Sequence, residues 1–194
     1  IINKKLYFNN SIGDISAVDI DSGNLLWQTP TQSNSIIQDS FSIKTSDLIA
    51  NNESIFFSNN KNEFYSVDLK TGITNWKNQI NSNIKPIIIN NLIFTVSNNG
   101  YLFIIEKNRG DIIRITNLYK NYKKKKRKDI KPIGFVIGKN NLYLTSNDGK
   151  MIVVDLKFGK VIKEVKISGK LISAPFIFNE KLFLIKSGSI VRYN

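Results

Sequence analysis

The residues of this chain that could carry out chemistry are few and of restricted types. The sequence contains 28 lysine and arginine residues and 15 aspartate and glutamate residues, but no histidine and no cysteine. Histidine is the commonest general base and metal ligand near neutral pH, and cysteine supplies reactive thiolates and disulfides. The acidic residues fall largely in predicted hairpin turns and form no cluster that resembles a metal cage. We therefore expect no catalytic residue, no metal ligand, no cofactor and no enzyme activity.

One segment of the sequence is strongly basic. It consists of Lys123, Lys124, Lys125, Lys126, Arg127 and Lys128, and it is preceded by Tyr119 and Tyr122. Positive charge beside aromatic rings predicts contact with an anionic partner, either a protein or a phospholipid surface. Nucleic acid ranks last, because nothing else in the chain predicts a groove or a stacking platform. The alternative is a solvated loop whose like charges repel one another.

A second set of residues recurs at regular intervals. Residues 17–27 read AVDIDSGNLLW and residues 66–76 read SVDLKTGITNW, and two weaker copies follow. The acidic residues of the four copies are separated by 49, 38 and 49 positions. The motif residues are Asp19, Gly23 and Trp27; Asp68, Gly72 and Trp76; Glu106 and Gly110; and Asp155 and Gly159.

The recurring residue types have structural rather than catalytic roles. A carboxylate at the end of a strand accepts backbone N–H groups of the following turn, and glycine adopts the positive φ that the turn requires. Tryptophan buries a large ring while its N–H finds a carbonyl acceptor. The third and fourth copies have Arg114 and Lys163 in place of tryptophan, so the sequence does not predict uniform packing between repeats.

Short strands precede and follow each copy of the motif. Runs rich in β-branched and aromatic residues are bounded by Asn, Gly, Ser and Asp, and no segment shows a sustained 3.6-residue apolar period. In the third repeat we predict strands at 86–89, 92–97, 101–106 and 112–117. The innermost strands are almost continuously apolar, which predicts burial on both faces. The long connection 28–48, with Ile36, Ile37 and Phe41, is expected to fold back as an extra strand or to dock a partner.

The repeats predict an all-β protein built from four-stranded antiparallel blades, that is, a β-propeller. We place an incomplete blade at 1–30, blades at 48–80, 86–117 and 133–168, and an incomplete blade at 172–194. Four to five blades are thus visible, and we expect them to belong to a ring of roughly seven or eight. Because the chain begins at Ile1 rather than methionine, we expect it to be part of a longer protein.

The motif Ala17-x-Asp19-x-x-Ser22-Gly23-x-x-x-Trp27 resembles the blade-docking motif of the PQQ-like, quinoprotein-type propellers. Among these the chain is most similar to the BamB family of lipoproteins of the outer-membrane assembly machinery. This resemblance implies a non-catalytic scaffold on the periplasmic face of the outer membrane. Such a scaffold would bind a protein partner through inter-blade loops and assist the assembly of outer-membrane β-barrel proteins.

Two alternatives remain open. The first is a fragment of a PQQ-dependent dehydrogenase, a class that the resemblance associates with calcium or a lanthanide, a catalytic aspartate and often a vicinal disulfide. This sequence lacks the cysteine pair. The second is a propeller that binds an anionic partner through Lys123–Lys128. The sequence leaves the oligomeric state open.

Overall fold

The computed structural model describes residues 1–10, 13–31, 44–59, 61–169 and 172–193. These residues form five antiparallel sheets, in each of which strands that are consecutive in sequence are hydrogen-bonded neighbours. The only described helix is the single turn α1 (Lys124–Arg127). No helix among the described residues is long and apolar enough to cross a membrane.

Each sheet is called a blade here. Blade 1 contains β1 (Lys5–Asn9), β2 (Ile15–Asp19) and β3 (Leu25–Thr29). Blade 2 contains β4 (Ile49–Ala50), β5 (Ser54–Asn59), β6 (Glu63–Asp68) and β7 (Thr74–Asn78). Blade 3 contains β8 (Ile87–Ile89), β9 (Leu92–Val96), β10 (Tyr101–Glu106) and β11 (Ile112–Asn117). Blade 4 contains β12 (Pro132–Gly138), β13 (Asn141–Ser146), β14 (Lys150–Asp155) and β15 (Lys160–Lys166). Blade 5 contains β16 (Phe176–Phe178), β17 (Lys181–Lys186) and β18 (Ser189–Tyr193).

A β-bulge recurs between the last two strands of blades 1 to 4. The register shifts between Ala17 and Val18, and at the same place in the other three blades, between Ser66/Val67, Ile104/Ile105 and Val153/Val154. A bulge bends a strand and increases its twist. Each bulge lies just before the acidic motif residue. The residue at the tryptophan position is therefore paired with Ala17 in blade 1, and with Ser66, Ile104 and Val153 in blades 2 to 4.

The chain divides into two compact units. The first comprises residues 1–93 with 106–111, and the second comprises 94–105 with 112–194. The core of the first unit contains the fully buried Ile15, Ile55 and Phe57, with Trp27 and Tyr7 packed against it. A core cluster of the second unit contains Met151, Ile167, Ile172 and Leu184. Apolar residues of neighbouring blades therefore form the interior of each unit.

The prediction of innermost strands buried on both faces is wrong for blades 3 and 5. In β16 the side chains of Phe176, Ile177 and Phe178 are 40%, 37% and 64% exposed. In β8 Ile87 and Ile88 are half-buried and Ile89 is 37% exposed. Each of these strands lies at the edge of its sheet and has a single hydrogen-bonded neighbour. The predicted extra strand or docking segment within 28–48 falls mostly at positions 32–43, outside the described residues.

Candidate partner-binding loop and blade-docking turns

Four turns carry the acidic and glycine residues of the motif, and we call them docking turns 19–23, 68–72, 106–110 and 155–159. Asp68 Oδ1 accepts hydrogen bonds from the backbone N–H and the hydroxyl of Thr71, both at 2.8 Å. Asp19 makes the same pair of bonds with Ser22, also at 2.8 Å. The backbone N–H bonds from Thr71 and Ser22 lower the pKa of these two carboxyl groups below the ordinary value.

The two degenerate turns keep the backbone contact and lose the hydroxyl contact. Glu106 Oε2 accepts the Arg109 N–H at 2.7 Å, which lowers the pKa of Glu106, and Asp155 Oδ1 accepts the Phe158 N–H at 2.9 Å. Replacement of Ser or Thr by Arg109 or Phe158 therefore leaves the turn conformation intact. The four acidic groups serve as acceptors within their own turns.

The glycines of docking turns 68–72 and 106–110 have two functions. Gly72 and Gly110 have φ values of 75° and 78°, in the left-handed region that favours glycine. A methyl group added to Gly72 would lie 2.5 Å from Cε3 of Trp27, and one added to Gly110 would lie 2.6 Å from Cδ2 of Trp76. Glycine is required both for the backbone conformation and for the close approach of the indole ring from the preceding blade.

Trp76 makes the most complete docking contact. Its indole N–H donates to the Lys107 carbonyl oxygen at 3.0 Å, and its ring stacks on Phe64 with 5.9 Å between centroids and 9° between planes. Two residues later, Asn78 Nδ2 donates to the Gly110 carbonyl at 2.7 Å. The docking contact is therefore made by a pair of side chains at positions i and i+2 of the outer strand.

Trp27 docks in the same place but with one bond missing. The Thr29 hydroxyl donates to the Gly72 carbonyl at 2.5 Å, as Asn78 does in the next blade. The Trp27 indole N–H is buried and has no hydrogen-bond partner among the described residues. The carbonyl equivalent to that of Lys107 belongs to Leu69, and it accepts a hydrogen bond from the Tyr7 hydroxyl at 3.3 Å instead.

Arg114 replaces tryptophan without loss of the docking contact. A methyl group on Gly159 would lie 2.7 Å from Cδ of Arg114, so the arginine side chain covers this glycine. Arg114 Nη1 donates to the carbonyls of Leu156 at 3.1 Å and Lys157 at 3.3 Å. Thr116 donates to the Gly159 carbonyl at 3.2 Å. The guanidinium supplies the planar shape and the N–H donors that the indole ring supplies elsewhere.

We expect Arg114→Ala to lower the free energy of unfolding by about 1–3 kcal/mol, because it removes charge-assisted hydrogen bonds to two carbonyls. Arg114→Trp is expected to retain most of that stability, because indole can cover Gly159 and donate to the Leu156 carbonyl. Urea titrations followed by circular dichroism give both values. Equal losses in the two variants would contradict the equivalence of arginine and tryptophan at this position.

The sequence reasoning missed the partner at i+2. Thr29, Asn78 and Thr116 each follow the docking residue by two positions and each donate to the carbonyl of the docking glycine. A short polar residue recurs at this position in the first three copies of the motif, and this recurrence could have indicated the contact from the sequence. Lys163 of the fourth copy has the same register opposite Val153 but is exposed, and the residue two positions later is Val165.

The two tyrosines beside the basic segment are buried, which corrects the expectation that their rings contribute to a contact surface. Tyr119 is 0% and Tyr122 is 7% exposed, and the rings meet edge to face at 5.6 Å. The Tyr119 ring lies directly against Gly100, and burial raises the pKa of both phenols. The tyrosines therefore anchor the loop within the second unit rather than present aromatic surface to a partner.

Two of the six basic residues also have structural contacts. Arg127 donates from Nε to the Tyr122 carbonyl at 2.8 Å and from Nη2 to the Lys120 carbonyl. Lys126 Nζ lies 3.8 Å from Asp148 Oδ2 and 5.5 Å from the centre of the Tyr122 ring. These contacts close the basic segment into a compact turn, within which α1 forms.

Four lysines remain directed to solvent on this turn. They are Lys123, Lys124, Lys125 and Lys128, all exposed, and the first turn of α1 contains no acidic residue. The base of the loop is held further by Asn147, whose amide donates to the Asp129 carbonyl at 3.0 Å and whose Oδ1 accepts the Lys131 N–H at 2.8 Å. A positively charged surface is thus presented on a fixed base.

The described residues contain no group of three or more acidic, histidine or cysteine side chains placed to hold a metal ion. The recurring structural unit is instead a docking turn covered by a Trp or Arg side chain. Its tryptophan form, in the first two copies, is the motif by which the chain resembles the PQQ-like propellers.

A family model described as outer membrane protein assembly factor BamB matches residues 1–116. The chain belongs to this family. A search of curated proteins gave no match. The β-propeller scaffold predicted from the repeats is confirmed by the family and by the solved structures described next.

Solved structures that share the fold have little sequence in common with this chain. BamB from Moraxella catarrhalis matches with a TM-score of 0.57 and 13% identity, over 99% of this chain and 70% of that one. The computationally designed Ika8 protein matches with a TM-score of 0.73 and 12% identity, over 100% and 56%. The β-propeller domain of Cps50 (Swd1) from Myceliophteria thermophila matches with a TM-score of 0.69 and 10% identity, over 95% and 59%.

Proposed function

We propose that this chain is a non-catalytic binding scaffold that assists the assembly of outer-membrane β-barrel proteins from the periplasmic face of that membrane. The observation that carries the proposal is the match of residues 1–116 to the BamB family. The arrangement of the acidic residues agrees with a scaffold role. Asp19, Asp68, Glu106 and Asp155 each bind the N–H groups of their own turn, so they contribute to the shape of the blades.

The scaffold works by holding inter-blade loops in a fixed conformation. Contacts such as Trp76 to Lys107 and Arg114 to Leu156 join a strand of one blade to the turn of the next. A loop on such a base loses little conformational entropy when it binds, and this favours association. No chemical step is required of the chain.

The partner surface that we propose for the loop is an acidic protein surface. Lys123, Lys124, Lys125 and Lys128 are exposed, whereas the aromatic rings beside them are buried. Contact is therefore mainly electrostatic, and it accelerates encounter and weakens as salt screens the charges. An anionic membrane surface is the second candidate, because the same four charges attract phospholipid headgroups.

We expect the fourfold variant Lys123→Glu, Lys124→Glu, Lys125→Glu and Lys128→Glu to bind a purified outer-membrane β-barrel assembly complex at least about tenfold more weakly at low salt. Biolayer interferometry at two salt concentrations measures the change. The matched control reverses the same number of exposed lysines outside the basic segment, namely Lys70, Lys157, Lys160 and Lys181.

The outcomes separate the two partners. Equal binding by both variants would exclude the loop as the contact, and no binding by the unaltered chain would contradict the assembly role. Vesicles of phosphatidylglycerol and of phosphatidylcholine are tested in parallel. Binding to the anionic vesicles alone, lost in the loop variant, would replace the protein partner by a membrane surface.

A further inference from the structure

Blades 1 to 4 each have a pair of side chains that joins the last two strands of the blade. One member directly follows the residue at the tryptophan position of the motif. The other lies three positions before the residue that pairs with the tryptophan position. In three blades the pair is polar: Asp14 with Gln28 at 2.9 Å, Glu63 with Lys77 at 3.1 Å, and Lys150 with Glu164 at 3.1 Å. In blade 3 the same two positions hold Tyr101 and Ile115.

The blade 3 pair is exposed as well as apolar. Tyr101 is 39% and Ile115 is 53% exposed, and Ile113 of the same strand is 57% exposed. Because side chains alternate along a strand, Ile115 points away from the face on which Arg114 and Thr116 dock. Grouped, exposed apolar side chains are typical of an interaction surface.

The exposure of this pair does not come from the lack of a neighbouring blade. Trp76 of blade 2 docks on Gly110 of blade 3, and Arg114 of blade 3 docks on Gly159 of blade 4. Blade 3 is therefore joined to a blade on each side within the chain.

In blade 4 the connection that precedes the blade covers the equivalent pair. Lys150 Nζ lies 4.5 Å from the centre of the Tyr122 ring, and the side chains of Lys150 and Glu164 are only 26% and 24% exposed. Tyr122 belongs to the connection 118–131, which has 14 residues. The connection that precedes blade 3, residues 79–86, has eight residues and none of them is aromatic. It supplies no ring to the blade 3 pair.

Blade 4 thus indicates what fits on blade 3. A large apolar side chain, placed as Tyr122 is placed on blade 4, would pack on Tyr101 and Ile115. A lipid surface fits less well. Strand β11 is at the edge of its sheet and has one hydrogen-bonded neighbour, so insertion into lipid would desolvate unpaired backbone groups.

The charge and position of the pair connect it with the basic loop. The chain has a net charge of +13, and Lys120 is exposed close to the end of β11, so acidic residues around the incoming side chain are favoured. Tyr101 directly follows Gly100, against which Tyr119 lies, and the Leu118 N–H donates to the Gly100 carbonyl at 2.9 Å. The pair therefore begins at the base of the basic loop.

We propose that Tyr101 and Ile115, together with Ile113, form a second contact for the acidic protein partner of the basic loop, which places a large apolar side chain on them. This inference rests on the proposed function and adds an apolar contact to the electrostatic one. Binding through the pair is not screened by salt, whereas binding through the four lysines is.

The test replaces the pair by its blade 2 equivalent. The double variant Tyr101→Glu and Ile115→Lys copies Glu63 and Lys77, so the blade keeps a pair that it already uses and the net charge is unchanged. We expect this variant to bind the purified outer-membrane β-barrel assembly complex at least about tenfold more weakly, at both low and high salt. Biolayer interferometry measures the change. Ile115→Gln, which copies Gln28 of blade 1, is a second variant with the same expected direction.

The matched control is the double variant Phe158→Glu and Ile162→Lys. It removes two apolar residues of blade 4 that are 62% and 57% exposed, also without a change in net charge. We expect it to bind as the unaltered chain does. Urea titrations of all variants are expected to give unchanged midpoints, which establishes that each remains folded.

The outcomes distinguish this inference from the proposed function. If the unaltered chain binds the complex and both blade 3 variants bind equally well, the apolar contact is wrong and the proposed function stands. A loss that disappears at high salt, or an equal loss in the blade 4 control, would also overturn the apolar contact. If the unaltered chain does not bind, both proposals are wrong. Loss of binding to phosphatidylglycerol vesicles, with binding to the complex retained, would assign the pair to a membrane surface instead.

Discussion

Replacement of Trp76 by alanine is expected to lower the free energy of unfolding by about 3–5 kcal/mol, the range for truncation of a large packed aromatic side chain. The ring stacks on Phe64 and lies 6.0 Å from the ring of Phe56, both of which are buried. It also covers Gly110 and donates to the Lys107 carbonyl. The substitution therefore removes packing within blade 2 and the link to docking turn 106–110 together.

The measurement is urea unfolding followed by circular dichroism, because the variant removes one of only two tryptophans and alters the fluorescence signal. Trp76→Phe is the matched control that keeps an aromatic ring and loses the N–H donor, for which we expect about 1 kcal/mol. A Trp76→Ala protein with an unchanged urea midpoint would contradict the packing role.

The parts of the fold that depend on neighbouring residues were predictable from the sequence. The turn from Asp68 to Gly72 is specified within five residues, since the carboxylate binds the Thr71 N–H and the glycine adopts positive φ. Blade 3 was predicted at 86–89, 92–97, 101–106 and 112–117, and the structure has Ile87–Ile89, Leu92–Val96, Tyr101–Glu106 and Ile112–Asn117. Apolar runs between Asn and Gly turns are sufficient to place such strands.

The parts that depend on distant contacts were not predictable from the sequence. Arg114 acts through the Leu156 carbonyl, 42 residues further along the chain, so its equivalence to tryptophan became evident only from the three-dimensional contact. Tyr119 and Tyr122 stand beside a run of charges, which favoured an exposed position, yet contact with Gly100 and the adjoining core buries them. The basic segment is evident in the sequence, but the contacts of Lys126 with Asp148 and of Arg127 with the Lys120 and Tyr122 carbonyls were not predictable from it.

Gly100→Ala is expected to have the second large effect, a loss of about 2–5 kcal/mol in the free energy of unfolding. Gly100 has a φ of 77°, and an L-residue in the left-handed region costs about 1–2 kcal/mol. The added methyl group would also overlap the ring of Tyr119, which is fully buried, and overpacking of this kind costs about 1–3 kcal/mol.

Gly188→Ala separates the two contributions. Gly188 has a φ of 78° but no described atom within 4 Å of the added methyl group, so this variant loses only the conformational contribution. Urea titrations of both variants give the difference due to the clash with Tyr119.

If that ring holds the base of the basic loop, Gly100→Ala also increases the rate of trypsin cleavage at Lys123–Lys128, whereas Gly188→Ala does not. Equal losses of stability together with equal cleavage rates would show that Tyr119 does not hold the loop, and the fixed base on which the proposed partner contact depends would be lost with it.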